Sequence, residues 1–353
     1  MDIQLSADEF ASLANASLDH YIRGKPIAQS LQEKPTLAKF RSKSKEFPGG
    51  KQLIRGNVKG DYTTSFMGYS YDDAVTYSNP ANIKQFSYEW FELHGGIGIT
   101  HTELKQQGIN VVDSLAGENI RQLSEDDHLV ISKLFEDKLD DMDEGLERSF
   151  QSILWGDGTQ SSKVFPGIQA LIRNTVTSGI IGGIDSASNT WWRNLARTGA
   201  SKITPSTTAS TLTKTLRADR RQLLRYGGRP DHVAAGSSFI QALEDEVHAK
   251  GFYTQTGFAK EDIDVGIGTI SIRGIGKFDY EPYMDEIGLQ YFAYAFDTRH
   301  ITLMPMRGEN MKKHAPARPE NRYVLYRAVT WTGALVAKKL NGCAVWEIAT
   351  SWS

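Results

Sequence analysis

Apolar residues recur at steps of three and four through the middle of the chain: Ile131, Phe135, Leu139, Met142, Leu146, Phe150 and Ile153. This spacing lays a single stripe along a long amphipathic helix. Ser124, followed by Glu125, Asp126 and Asp127, supplies an N-cap with acidic residues against the helix dipole. Gly156-Asp157-Gly158 supplies the stop, since glycine tolerates a left-handed residue. Two shorter helices are predicted at about 210–226 (Leu212, Leu216, Leu223, Leu224) and 237–250 (Phe239, Leu243, Val247), closed by Gly227-Gly228 and Gly251. PDHVAAG between them reads as a short buried strand.

From about residue 267 onward the pattern changes to alternation: TISIRGIGKFDYEP, LQYFAYAF, HITLMPM, YVLYRAVTWTGALVA and CAVWEIA all read as strands. Helices first and strands later predict an α+β fold rather than repeated βαβ units. A second strand-rich region lies at 52–101. Its outgoing side carries Leu53, Ile54, Val58, Tyr62 and Phe66, and its returning side Phe86, Tyr88, Trp90, Phe91, Leu93, Ile97 and Ile99. GYSYDDAVTYSNPAN between them has the composition of turns. A hairpin this long is marginal alone and needs a surface to lie on. Its tip holds Tyr69, Tyr71 and Tyr77 beside Asp72 and Asp73, and tyrosines of this kind recur at interface hot spots.

Charge alters the picture only locally. With 40 Lys and Arg against 42 Asp and Glu, the chain of 353 residues is no polycation. Cations are nonetheless dense before residue 60, where Lys39, Arg41, Lys43 and Lys45 follow closely between Gly and Pro punctuation. This reads as an extended basic arm over 1–50, with a short helix at Ala7–Tyr21. The N-terminal sequence lacks a basic-then-apolar leader. No apolar run approaches the roughly 20 residues that span a bilayer. Synthesis in a cytosol, with no membrane partner, is the expectation. Cys343, the single cysteine, cannot form an internal disulfide and reads as a small residue in a buried strand.

Candidate chemistry is thin. Gly266-Ile267-Gly268 and Gly274-Ile275-Gly276 are followed by strand-like sequence, where a phosphate-binding loop needs a helix. EDKLDDMDEGLE lies on the long helix rather than in an irregular calcium loop. Asp231-His232 and Asp297 with His300 could serve a triad, but no serine stands in a GxSxG elbow to use them. No catalytic, cofactor or metal residue is assigned.

Several segments, in order, resemble the major capsid proteins of tailed phages, which have the Hong-Kong-97-like fold. KQFSYEWFELHGGIGITHTELKQQGI resembles the returning hairpin strand of that family. LERSFQSILWGDG followed by VFPGIQALI resembles its spine helix and the sequel to that helix. SGIIGGIDSASNTWWRN is similar to the family's GGIDR…WWRN segment: Gly183, Ile184, Asp185, Trp192, Arg193 and Asn194 match, and Ser186 departs from the common arginine. PDHVAAGSSFIQALEDEV and FDYEPYMDEIGLQYFAYAFDTRHITL follow in the family's order. The resemblance runs from about residue 50 to the C-terminus.

The resemblance implies an N-terminal arm (1–50), an extended β-hairpin loop (51–103), a peripheral domain with the spine helix (104–165 plus 306–353) and an axial domain (166–305). It also implies hexamers and pentamers of the chain closing an icosahedral shell around double-stranded DNA, with the basic arm toward the interior. A separate scaffolding protein, a portal and in some shells a decoration protein are the implied partners, the virion is the implied location, and the host bacterial cytoplasm is the place of assembly. Some relatives join a loop lysine to a neighbour's asparagine. Here no lysine lies between Lys59 and Lys84, so no such cross-link is expected. Two other readings remain open: an encapsulin-type compartment with the same fold, and a soluble hydrolase with an unrecognised site.

Overall fold

The computed structural model describes residues 32–62, 64–77, 82–100, 102, 141–249, 270–272, 276–314 and 324–352. Alternation along the later strands fixes the centre of the molecule. A mixed sheet of six strands forms among the described residues, in the order β6 (Leu195–Arg197), β14 (Ala344–Glu347), β10 (Phe292–Phe296), β7 (His232–Ala235), β9 (Gly276–Tyr280) and β8 (Ile270–Ile272). Successive residues of a strand point to opposite faces, and this sheet buries both faces. Ala293 and Ala295 of β10, Val233 and Ala235 of β7, and Trp346 of β14 pack on one side. After the short α3 (Ile168–Leu171), that side is covered by α4 (Thr211–Arg225) through Leu212, Leu216 and Leu223, and by α5 (Ser237–Ala249) through Phe239 and Leu243. Tyr294, Phe296, Ala234 and Val345 face the other way, toward Trp155, Leu154 and Phe40.

A second sheet is built around β13 (Val324–Ala337). It pairs antiparallel with β3 (Phe91–Thr100) on one side and with β11 (Ile301–Pro305) and β12 (Lys312–Lys313) on the other. The helix α2, described over residues 141–154, lies on this sheet. Of the stripe read from the sequence, Met142 and Phe150 are buried and Leu146 and Ile153 are half-buried, while the fully buried residue at the end is Leu154, one position on. Phe150 meets Trp331 of β13 edge-on at 4.9 Å. Gly95 of β3 permits the approach, because a Cβ there would sit 1.9 Å from the Leu146 side chain. Ser124, Ile131, Phe135 and Leu139, expected on the same helix, lie outside the described residues, as do Ala7–Tyr21 and Gly266–Gly268.

Two expectations change. First, the outgoing hairpin strand β1 (Leu53–Lys59) stops at Lys59 instead of running to Phe66; β2 (Ile83–Glu89) returns against it in register from Leu53↔Glu89 to Lys59↔Ile83. The Gly60 amide bonds to the Asn82 carbonyl at 2.8 Å, and the ladder ends there. Second, residues 35–42, read as extended, form helix α1 (Pro35–Ser42). Proline is pre-set for the first helical turn, and Leu37 and Phe40, three apart, bury one face, with Phe40 edge-on to Phe296 at 5.5 Å. Strand β11 pairs with β13, and β14 joins the six-stranded sheet, so the two sheets draw on the same C-terminal half of the chain. From Lys34 to Ser353 the chain clusters as one unit. Residues on either side of position 165 share one core, since Trp155, just after α2, contacts Tyr294 at 5.5 Å.

Candidate assembly interface

The hairpin is anchored at its base and bare at its tip. Phe86 and Tyr88 of β2 are buried. Gly56 opposite lets the Phe86 ring lie flat across the ladder, since a Cβ there would come within 2.4 Å of the ring. The Tyr88 hydroxyl donates to the Ala337 carbonyl at 3.1 Å, tying the hairpin to the end of β13. The Ser87 amide donates to the Gly182 carbonyl at 2.9 Å.

That last bond explains the segment that resembles GGID…WWRN. β4 (Ile180–Ile181) and β5 (Ile184–Asp185) form a tiny hairpin whose two-residue turn is Gly182-Gly183. Both glycines have positive φ (56° and 78°), as the favoured two-residue turn requires. Asp185 accepts bonds from the Ala187 and Ser188 amides and the Ser188 hydroxyl; these hold its carboxyl below the usual range. Trp192 is buried and donates its indole N–H to the Ile181 carbonyl at 3.0 Å. Arg193 donates to the Ser186 and Ala187 carbonyls. Asn194 pairs with both backbone groups of Arg173. The side chains of Asp185, Trp192, Arg193 and Asn194 bond to backbone groups of this segment and of Arg173, and so brace the hairpin base.

Beyond Gly60 the support ends. Tyr62, Phe66, Met67, Tyr69, Tyr71, Val75 and Tyr77 are all exposed, Phe66 and Tyr71 completely. Asp72 and Asp73 are exposed with them, and Asp73 accepts the Ser70 amide at 2.8 Å, forming a local turn. Lys59 lies over the Tyr62 ring at 4.6 Å. Sequence reading found the tyrosines but put Phe66 on a strand and passed over Met67. The signal was present: SFM lies between Gly60 and Gly68, away from any alternating pattern.

The basic segment divides. Lys39 pairs with Asp231 at 3.4 Å, Arg41 with Glu147, and neighbouring Lys34 with Glu144 at 2.6 Å. Arg41 also stacks over Phe150. The acidic face of α2 thus holds α1, which sequence reading treated as a solvated face. Lys43 and Lys45 are exposed and make no ion pair among the described residues.

The groups considered for a triad are closed in. His232 sits between Asp279 (3.1 Å) and the Thr36 hydroxyl (3.2 Å), but His232, Thr36 and the adjacent Glu281 are all buried. Asp231 is taken by Thr298 and Lys39, and Asp297 by Arg299. Cys343 is buried just before β14, and burial pushes its thiol up to about 12.

This architecture, an α+β unit with a projecting hairpin, a helix laid along a β13-centred sheet and a helix-covered second sheet, is the Hong-Kong-97-like capsid fold. A chain of the cyanophage A-1(L) capsid asymmetric unit shares it with a TM-score of 0.62 at 15% identity, over 92% of this chain and 96% of that one. A chain of the gene-transfer-agent structure titled capsid of native GTA particle shares it at 0.52 and 10% identity, over 96% and 99%. A chain of the capsid of Myoviridae phage XM1 gives 0.50 and 11% identity, over 99% of both. The sequence matches no family model and no curated protein.

Proposed function

We propose that the chain is a non-enzymatic major capsid protein: its copies assemble into hexamers and pentamers of an icosahedral phage head that encloses double-stranded DNA. One observation carries this reading beyond the fold. A well-anchored hairpin holds out a tip crowded with exposed aromatic and apolar side chains. Soluble chains rarely leave such a cluster in water. Burying one large apolar side chain is worth roughly 1.5–3 kcal/mol, so the tip supplies several such increments to a neighbour. A second copy is the partner that repeats, and repetition with closure makes a shell.

The surrounding partners follow from the same reading: a separate scaffolding protein, a portal and, in some shells, a decoration protein, with assembly in the host cytoplasm and final residence in the virion. Negative-stain imaging of the expressed chain tests it. Closed particles tens of nanometres across are expected, and a small discrete oligomer would sink the proposal. The contents then separate two uses of the fold, DNA for a phage head and a cargo protein for an encapsulin-type compartment.

A further inference from the structure

Helix α4 presents two opposed faces. Leu212, Leu216, Asp219 and Leu223 are buried against the six-stranded sheet. On the opposite side Lys214, Arg217, Arg221 and Arg225 are exposed, at steps of three, four and four. At helical spacing these four cations share one narrow stripe about 16 Å long. None makes an ion pair among the described residues. The single acid of the helix cannot neutralise them: Asp219 faces inward, bound to Arg197 at 2.7 Å and to the Trp346 indole at 3.0 Å. Lys339 adds a further cation at the helix end, donating to the Tyr226 carbonyl.

Such an arrangement works against the helix. Like charges three and four residues apart repel and lower helix stability, and exposed helices ordinarily interleave acids with bases. An anionic partner removes that cost. The rest of the face indicates its kind. Ala218, Gln222 and Leu224 lie beside the cations, and the nearest exposed aromatic, Tyr226, lies beyond the helix end. A protein partner would be expected to meet aromatic anchors in a pocket. A straight row of guanidinium and ammonium groups fits a regular row of phosphates instead, with binding driven by counterion release.

We infer that the exposed stripe of α4 binds the phosphate backbone of double-stranded DNA without sequence preference. This rests on the proposed enclosure of DNA and names a surface for it, distinct from the segment around Lys43 and Lys45. The test uses the full chain as unassembled subunits and a labelled mixed-sequence duplex, with anisotropy measured across a salt series. The variant K214Q/R217Q/R221Q/R225Q should bind at least about tenfold more weakly at 0.1 M salt. Its slope of log affinity against log salt should fall by roughly one per cation removed. The charge-keeping variant R217K/R221K/R225K should retain the slope, which guards against a merely misfolded glutamine variant. An unchanged slope in the glutamine variant overturns the inference. So does a slope lost on K43Q/K45Q but not on the α4 variant. Poly-glutamate competing as well as DNA, charge for charge, would assign the stripe to an acidic polypeptide and likewise overturn it. Imaging the same samples keeps the two readings apart. Particles that form normally while the α4 slope is unchanged leave the capsid reading standing alone, whereas failure of the unsubstituted chain to form particles strikes the capsid reading whatever α4 does.

Discussion

The Tyr88 hydroxyl reaches the Ala337 carbonyl at 3.1 Å, across 249 residues of chain. The contact fastens β2 of the projecting hairpin to the end of β13 in the core. Burial drives the phenol far above its ordinary ionisation range, so it remains a donor at any accessible pH. Tyr88→Phe keeps the ring and removes the donor. The expected loss is about 1–2 kcal/mol of unfolding free energy, since a buried carbonyl loses a partner. Tyr88→Ala should cost more, about 3–5 kcal/mol, because it also leaves a cavity. Urea unfolding of the two variants checks the order, and equal losses would mean the hydroxyl contributes nothing.

A buried carboxyl gives the fold a pH dependence. Glu281 accepts the Thr36 amide at 3.1 Å and the Gln151 amide at 2.5 Å, joining α1, α2 and the end of β9. Burial raises its pKa despite those bonds. The folded state therefore binds the proton more tightly than the unfolded state does. Stability from this group is fully present below the ordinary carboxylate range and falls as pH rises through the raised value. Asp279 and Asp231 act oppositely. Burial alone would raise them, but His232 and Lys277, and Thr298 and Lys39, bring them below their ordinary value. Their stabilisation is lost only as pH falls through those lowered values. Glu281→Gln should flatten the decline of the urea midpoint as pH rises above the ordinary carboxylate range. A wild-type midpoint that rises with pH there would contradict the assignment.

The later strands and the stripe of α2 are legible in the sequence because local periodicity and burial agree there, whereas the pairing of those strands into two sheets is not. Met142 and Phe150 pack as their spacing dictates. The family-like segment was legible as a string of letters, yet its role was not. Only the fold shows that Gly182-Gly183 turns a two-residue hairpin under Ser87 and Tyr88. The pairing of α1 with α2 was illegible for a different reason. Lys34 and Arg41 find Glu144 and Glu147 more than a hundred residues away, and a one-dimensional reading sees two unrelated charge runs. Phe66 was misread because an aromatic in a strand-like stretch looks paired until the ladder is seen to end at Lys59.

Covalent linkage between neighbours is not expected at the loop tip. Residues 60–83 contain no lysine, so the tip offers no amine to a carboxamide of an adjacent copy. Of the two flanking lysines, Lys59 lies over Tyr62, and Lys84 sits back from the tip on the paired strand β2. Boiled particles should run as a single monomer band of 39.3 kDa in denaturing gels. A ladder at five- and six-fold multiples would overturn this expectation.

The tip itself offers the sharpest separation of folding from assembly. Tyr69, Tyr71 and Tyr77 are exposed, so their removal takes no buried contact from the described core. The anchoring groups, Phe86, Tyr88 and the Gly60–Asn82 bond that closes the ladder, lie outside the segment to be cut. Replacing residues 69–80 with a short Gly/Ser linker should therefore leave circular dichroism and the unfolding midpoint close to those of the full chain, since flexible loops close at little cost in length. Association should change completely. Tyrosines give large contact area with few rotors to freeze, and Asp72 and Asp73 would set register against basic groups of the neighbour more than affinity. Sedimentation of the variant should show subunits or small capsomers with no closed shells. Particles of normal size would show that the tip is dispensable to assembly. A collapse of secondary structure in the same sample would show that it serves the subunit's own fold.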